Sequence, residues 1–219
     1  MESREINISV TPEAEKLGIK AVAVVFTDAR ISNKNATLED KKKEVIENIE
    51  NLDLTNNPIL AAYRELYQLC GVEGFIHPAK YLIQLIKKNG RLPNINTVVD
   101  SYNLVSVETF LSIGAHDTDK IKGNLVLKIT DGSELYIPLG GNSPEKVNIG
   151  EYACTDEEKI VCRMDIKQCE QTKITKDTKN FIVYIQGNKN TDMGYLYKAL
   201  DKVCEYIKSF CKGIIVKVI

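Results

Sequence analysis

No run of 18 apolar residues occurs in the chain, so no segment of it reads as a membrane-crossing helix. Net charge is equally scarce. There are 29 Lys and Arg against 30 Asp and Glu, a formal balance of −1. Proteins that grip long duplexes are usually clearly basic, so any contact with nucleic acid must come from a local patch. There is no C-x-x-C pair, and the two histidines, His77 and His116, do not complete the short paired spacings that structural zinc favours. Gly140-Gly141 is not followed by the Lys-Ser/Thr of a phosphate loop, and no G-x-G-x-x-G occurs, so those glycines read as a turn. No metal and no cofactor is expected. The opening Met1-Glu2-Ser3-Arg4-Glu5 is charged and has no apolar core of a signal peptide. The six cysteines, at 70, 154, 162, 169, 204 and 211, therefore read as reduced and mostly buried thiols of a cytoplasmic chain. Nothing marks any of them as an activated nucleophile.

What is present is ordinary for a folded chain: 219 residues, 43% hydrophobic and 27% charged. That length favours one domain or two tightly joined halves. Ile6 to Val10 alternates like a short strand. Thr11-Pro12 opens a short helix that Gly18 closes. Ile19 to Thr27 holds a continuous apolar run, which suits a strand covered on both faces. Three helices are expected next. Leu38–Leu52 has Val45, Ile46, Ile49 and Leu52 at helical spacing. A second opens at Asn57-Pro58, with a stripe of Leu60, Tyr63, Leu66 and Leu69. A third opens at Pro78, with Leu82, Leu85 and Ile86 inward, and Gly90 ends it. The run Lys41-Lys42-Lys43, followed by Glu44, Glu47 and Glu50, reads as a solvated helix face. Asn96 to Ile113 reads as a fourth helix, capped by Asn96 and leaving through Gly114-Ala115-His116-Asp117.

Beyond that point the chain turns β-rich. Gly123–Ile129 and Leu135–Ile137 flank Asp131-Gly132, a strong hairpin signal. Lys159–Cys162 and Phe181–Ile185 are further strands. The last helix carries an apolar stripe of Leu196, Ala199, Leu200, Val203, Ile207 and Phe210; Gly213 stops it, and a terminal strand covers Ile214 to Val218. Cys204 and Cys211, seven apart, share a side of that helix. The order is strand, helices, then a β-rich half with one late helix, which is α+β rather than a βαβ repeat.

One region gathers polar groups. Asp100, Asn103, His116 and Asp117 lie in the fourth helix and its exit. Arg163, Gln168, Glu170, Thr172 and Thr178 lie between two apolar strands. Residues 167 to 190 carry five Lys and two acids. Such a surface suits an anionic ligand, and it equally suits a solvated loop with capping side chains. Asp117-Thr118-Asp119 reads as a cap for the next element rather than a metal site.

The stretch Arg91-Leu92-Pro93-Asn94-Ile95-Asn96-Thr97-Val98-Val99-Asp100-Ser101-Tyr102-Asn103 resembles the "lP-x-I-N-x-vVD-x-yN" signature of B3/B4 domain proteins. It continues through Leu111-Ser112-Ile113-Gly114-Ala115-His116-Asp117 to Gly123, similar to that family's "lpxgahDxdkixG". Gly150-Glu151, Asp156, Cys162-Arg163, Gln168-Cys169 and Thr172 follow in order. Thr175-Lys176-Asp177-Thr178-Lys179-Asn180 resembles its "t-x-x-T-x-n". Upstream, Gly71-Val72-Glu73-Gly74 and His77-Pro78 also fit. The likeness spans roughly residues 70 to 190.

This family supplies the tRNA-binding and editing module in the β chain of phenylalanyl-tRNA synthetase, where it hydrolyses mischarged aminoacyl-tRNA. The resemblance implies one B3/B4-like domain over 1–219. Its parts are a strand–helix segment over 1–90, a β-rich core of layered mixed sheets over 91–190, and a C-terminal helix and strand over 191–219. It implies tRNA or aminoacyl-tRNA as partner and an ester hydrolase as the activity; without the synthetase's catalytic core the chain is not a ligase by itself. The family's pocket uses a His in a "HAFD" block and a Glu in a "GGE" block. Ungapped alignment places Glu170 on that Glu, and Gly114, not His116, on that His. Glu170 and His116 are the implied catalytic candidates. Asn103, Asp117, Arg163, Gln168 and Thr172 are the implied substrate-binding ones. Two other roles stay open: a non-catalytic nucleic-acid-binding module, and an enzyme acting on a free amino-acid derivative. The oligomeric state is not legible.

Overall fold

A computed structural model describes residues 6–49, 52–72 and 74–219. The first expected strand forms as β1 (Ile8–Val10), and Thr11 caps α1 (Pro12–Lys16) through its side chain. The apolar run becomes β2 (Lys20–Thr27). Helices α2 (Ala36–Ile49), α3 (Pro58–Leu69) and α4 (Pro78–Asn89) follow. Pro at the first turn opens α3 and α4, and Gly90 closes α4 at φ 65°. Glu50, Glu73 and the charged opening residues 1–5 lie outside the described residues.

The fourth helix is shorter than expected. It runs as α5 (Thr97–Thr109), and Phe110 turns the chain at φ 58°. Ser112–Asp117 is then strand β3. Gly114 and Ala115 are too small to show a strand's alternation, so the helical rhythm looked continuous to Ile113. The remaining elements are β4 (Leu125–Ile129), β5 (Leu135–Tyr136), β6 (Glu145–Lys146), β7 (Tyr152–Thr155), β8 (Ile160–Arg163), β9 (Lys167–Gln168), β10 (Phe181–Gly187), α6 (Met193–Cys211) and β11 (Ile214–Val218). Asp131-Gly132 makes its turn, with Gly132 at φ 83°, but not the expected hairpin. β4 pairs with β1 and β7, and β5 pairs with β6. The chain past the turn serves a separate ribbon.

Beside that ribbon, two larger sheets form among the described residues. One is antiparallel, ordered β11-β2-β10-β3; the other is mixed, ordered β1-β4-β7-β8-β9, with β1 parallel to β4. Alternation sorts the first sheet's side chains between two cores. Val22, Val24 and Phe26 of β2, with Phe181, Val183 and Ile185 of β10, face a core shared with α2, α4, α5 and α6. Ala23, Val25, Ile182 and Tyr184 face a second core shared with α3 and the mixed sheet. The first sheet is thus the middle of three layers, which is why β2 reads as unbroken apolar sequence. The thiols fit the same picture: five of the six cysteines are buried.

The lysine run of α2 is not wholly solvated. Lys42 is 4% exposed and donates to Asp100 of α5 at 2.6 Å, to Asn94 at 2.5 Å and to Glu39 at 2.8 Å. Asp100 also accepts from the Ile95 amide at 2.9 Å. It ties α5 to α2 and to the loop before α5. Burial pushes its pKa up even with the lysine beside it. Breaking a buried pair leaves one charge without compensation. Lys42→Met is therefore expected to lower the unfolding free energy by about 3–5 kcal/mol in urea. A loss below about 1 kcal/mol, the range of a surface pair, would contradict this.

Candidate functional site

Strand β3 is an edge strand of the middle sheet, and its open side faces the segment from Asp165 to Thr172. The two are pinned together at both ends of β3. At one end the Ser112 hydroxyl donates to the Asp165 carbonyl at 2.9 Å. At the other the Asp117 amide donates to the Thr172 carbonyl at 2.9 Å. Between the pins a cavity of about 770 Å³ opens. Gly114 and Gln168 both line it, with Tyr102 and Asn103 of α5, Tyr184 of β10 and Lys173. A Cβ on Gly114 would stand 3.1 Å from the Gln168 Nε2 and 3.3 Å from the Tyr184 ring, so those two side chains close in on β3 because residue 114 has no side chain. Four exposed apolar side chains, Ile76, Tyr81, Ile95 and Leu139, also line the cavity.

Beneath it lies a buried polar network. Asp165 accepts from the Tyr152 hydroxyl at 2.7 Å and the Tyr67 hydroxyl at 3.0 Å. Gln186 donates to Tyr152 at 3.0 Å. Tyr63 donates to the Gln186 carbonyl and accepts from the Ser112 amide at 3.3 Å. Burial raises the pKa of Asp165 and of all three tyrosines. Such a network fixes β3 and the Asp165 turn as one unit, since each buried polar group needs its partner.

The expected site residues divide. Asn103 and Gln168 line the cavity. Glu170 is not among the lining groups. It accepts from the Gly140 amide at 2.8 Å and from Lys173, whose side chain does line the cavity. Those donors, Lys173 first, hold its carboxyl below the usual range. It thus fixes the loop after β5 to Lys173.

His116 does not line the cavity either. It is fully buried on β3, with Nδ1 2.8 Å from the Thr172 hydroxyl and its ring stacked on Tyr184. Burial pushes its pKa down to about 3, so it is neutral near pH 7 and not a charged phosphate partner. Thr172 is used up by His116 and Cys169. Asp117 caps the turn at Thr118–Lys120 and accepts from Thr178 at 2.7 Å. Arg163 forms a fork with Glu151, both bonds 2.6 Å. Gly114, Tyr102, Tyr184 and Lys173 are the lining groups that sequence reading did not select. Among the described residues no group of three or more His, Cys, Asp or Glu could hold a metal ion.

The family model for the B3/4 domain matches residues 69–212, and the chain belongs to that family. Curated relatives are phenylalanine–tRNA ligase β subunits. The one from Yersinia pestis is 27% identical over 187 residues, 84% of this chain and 23% of the relative. That from Brucella abortus is 30% identical over 156 residues, 69% of this chain and 19% of the relative. That from Mycoplasma genitalium is 28% identical over 116 residues, 52% of this chain and 14% of the relative. The chain therefore spans less than a quarter of those relatives' length. A solved N-terminal fragment of the phenylalanyl-tRNA synthetase β subunit from Pyrococcus horikoshii shares the fold. Its TM-score is 0.54 at 15% identity, over 96% of this chain and 50% of that one. No helix among the described residues is long and apolar enough to cross a membrane.

Both histidines are buried neutral, and burial holds His77 near pH 3 as well. An unfolded His titrates near 6.5, so the unfolded chain binds more protons between about pH 6.5 and 3. Stability is then present above pH 6.5 and falls as pH drops below it, by up to about 1.4 kcal/mol per pH unit for each His. Urea midpoints from pH 7 to 4 should show this slope, and His77→Phe with His116→Gln should flatten it. An unchanged slope would contradict neutral burial.

Proposed function

We propose that this chain binds the aminoacylated 3′ end of a tRNA and hydrolyses the ester, placing the amino-acid side chain in the cavity beside Gly114. The observation that carries the reading is the meeting of Gly114 and Gln168, from the two signature blocks of the family, in the wall of one largely apolar cavity. The cavity volume suits an aminoacyl group with part of its ribose. Hydrolysis adds water to the ester carbonyl and releases the ribose hydroxyl with its proton. An activated ester needs a held water and donors for the developing oxyanion more than a strong nucleophile. Asn103, Gln168 and Lys173 are the donors in place for that role. Glu170 acts through Lys173 and Gly140 as a positioning residue. His116 supports the wall from behind. The partner relations of the synthetase β subunit belong to proteins several times longer, so a subunit partner is not part of this reading.

The absence of a side chain at 114 also bears on selectivity. An apolar wall alone separates substrates by about 1–3 kcal/mol per methylene, whereas a hydrogen-bonding group can reject an analogue far more strongly. Gln168, hydrogen-bonded to the Tyr102 hydroxyl, is a polar group of the cavity wall. The test is deacylation of a panel of mischarged tRNAs. Wild type should hydrolyse a subset. Gln168→Ala should lower kcat/KM by roughly 10²-fold, the scale of losing one oxyanion donor, and Glu170→Ala by less. No turnover on any tRNA, with the fold intact, would remove the hydrolytic reading.

A further inference from the structure

A second hollow, of about 510 Å³, lies between α3 and α4 and shares Ile76 with the main cavity. Its character is different. Arg64, Lys80 and Lys87 line it against one carboxylate, Asp53. That carboxylate is already engaged by the Thr55 amide at 2.9 Å and hydroxyl at 2.6 Å. Lys87 is tethered to the Leu52 carbonyl at 2.6 Å. Among the described residues no carboxylate pairs with Arg64 or Lys80. A chain with a net charge of −1 has thus gathered three cations in one concavity with one acid to balance them. Grouped like charges are favourable when an anion sits among them.

A second observation comes from His77, which also lines this hollow. It precedes α4, makes no capping bond, and is 3% exposed. Neither ring nitrogen has a hydrogen-bond partner. Its Nε2 lies 3.6 Å from Asp165, too far for a bond. A buried polar group without a partner costs stability, so its presence beside a basic hollow marks a place where an acceptor fits.

We infer that this hollow binds a phosphate of the RNA strand whose 3′ end enters the main cavity. The identity of the strand rests on the proposed function; the anion site itself does not. Continuity through Ile76 makes the two hollows neighbours on one strand's path. Arg64 supplies a planar fork for phosphate oxygens, and Lys80 a point charge. Arg64 and Asp53 precede the matched segment 69–212, so the site draws on chain outside the family model.

The test uses Arg64→Glu with Lys80→Glu, two side chains without an ion pair among the described residues, so the melting temperature should hold. The probes are an RNA minihelix with a single-stranded CCA 3′ end and a 3′-aminoacyl adenosine, which has no phosphate. Reversal should weaken minihelix binding at least tenfold and make the slope of log K on log salt shallower by about one, as when one phosphate contact is lost. Handling of the adenosine ester should not change. Unchanged minihelix affinity and salt slope would overturn the inference. So would displacement of the minihelix by polyglutamate as readily as by polyphosphate, which would assign the hollow to an acidic protein segment. If the wild type ignores the adenosine ester yet reversal still weakens the minihelix, the phosphate site stands and the proposed function falls.

Discussion

An edge strand held at both ends but not in the middle is the constraint on which the cavity depends. Ser112 and Asp117 fasten β3 to the Asp165–Thr172 segment through one hydrogen bond each. Without those pins the open edge of β3 could close onto the segment or drift from it. With them the gap has a fixed width, and glycine at 114 lets Gln168 and Tyr184 approach the strand closely. Tyr184, paired with Gly114 across β10 and β3, forms one wall; Gln168 forms the other. The buried network of Asp165, Tyr67, Tyr152, Gln186 and Tyr63 then prevents either side from moving alone. Its several bonds are together a larger constraint than any single contact at the cavity mouth.

The three-layer arrangement explains why this happens at β3. The middle sheet is covered by helices on one face and by the mixed sheet on the other, so its edges are the remaining places where backbone meets open space. At the opposite edge β11 carries a register shift near Val216, a common way to blunt an edge. At β3 the edge is covered instead by a loop that stands off from it. The segment before α4 borders both hollows through Ile76, and His77 follows it directly. Apolar and basic concavities are therefore set side by side.

Much of the scaffold could be read in the sequence because its signals were local. Thr11, Asn57 and Asn96 cap helices as their residue types suggest, and Gly90 closes one. The doubly buried β2 showed as an unbroken apolar run. What misled were signals settled by distant partners. Lys42 looked like one of three solvated lysines because Asp100, 58 positions away, is not visible from α2. Ser112–Asp117 looked like a helix exit because small residues hide a strand's alternation. Of the site, Asn103 and Gln168 stand out in the sequence as gathered polar groups, and both line the cavity. His116 and Thr172 are conspicuous residue types, but they bond to each other behind the wall. Gly114 could not be chosen by side-chain chemistry, since its contribution is the side chain it lacks.

The most direct measurement is calorimetric titration of a panel of 3′-aminoacylamido adenosines, which resist hydrolysis, into the wild-type chain and into Gly114→Val. The wild type should bind at least one member of the panel. The valine side chain should weaken that binding at least tenfold, about 1.4 kcal/mol, while the folded state survives. Equal binding by both proteins would contradict the claim that the space beside Gly114 is the ligand site.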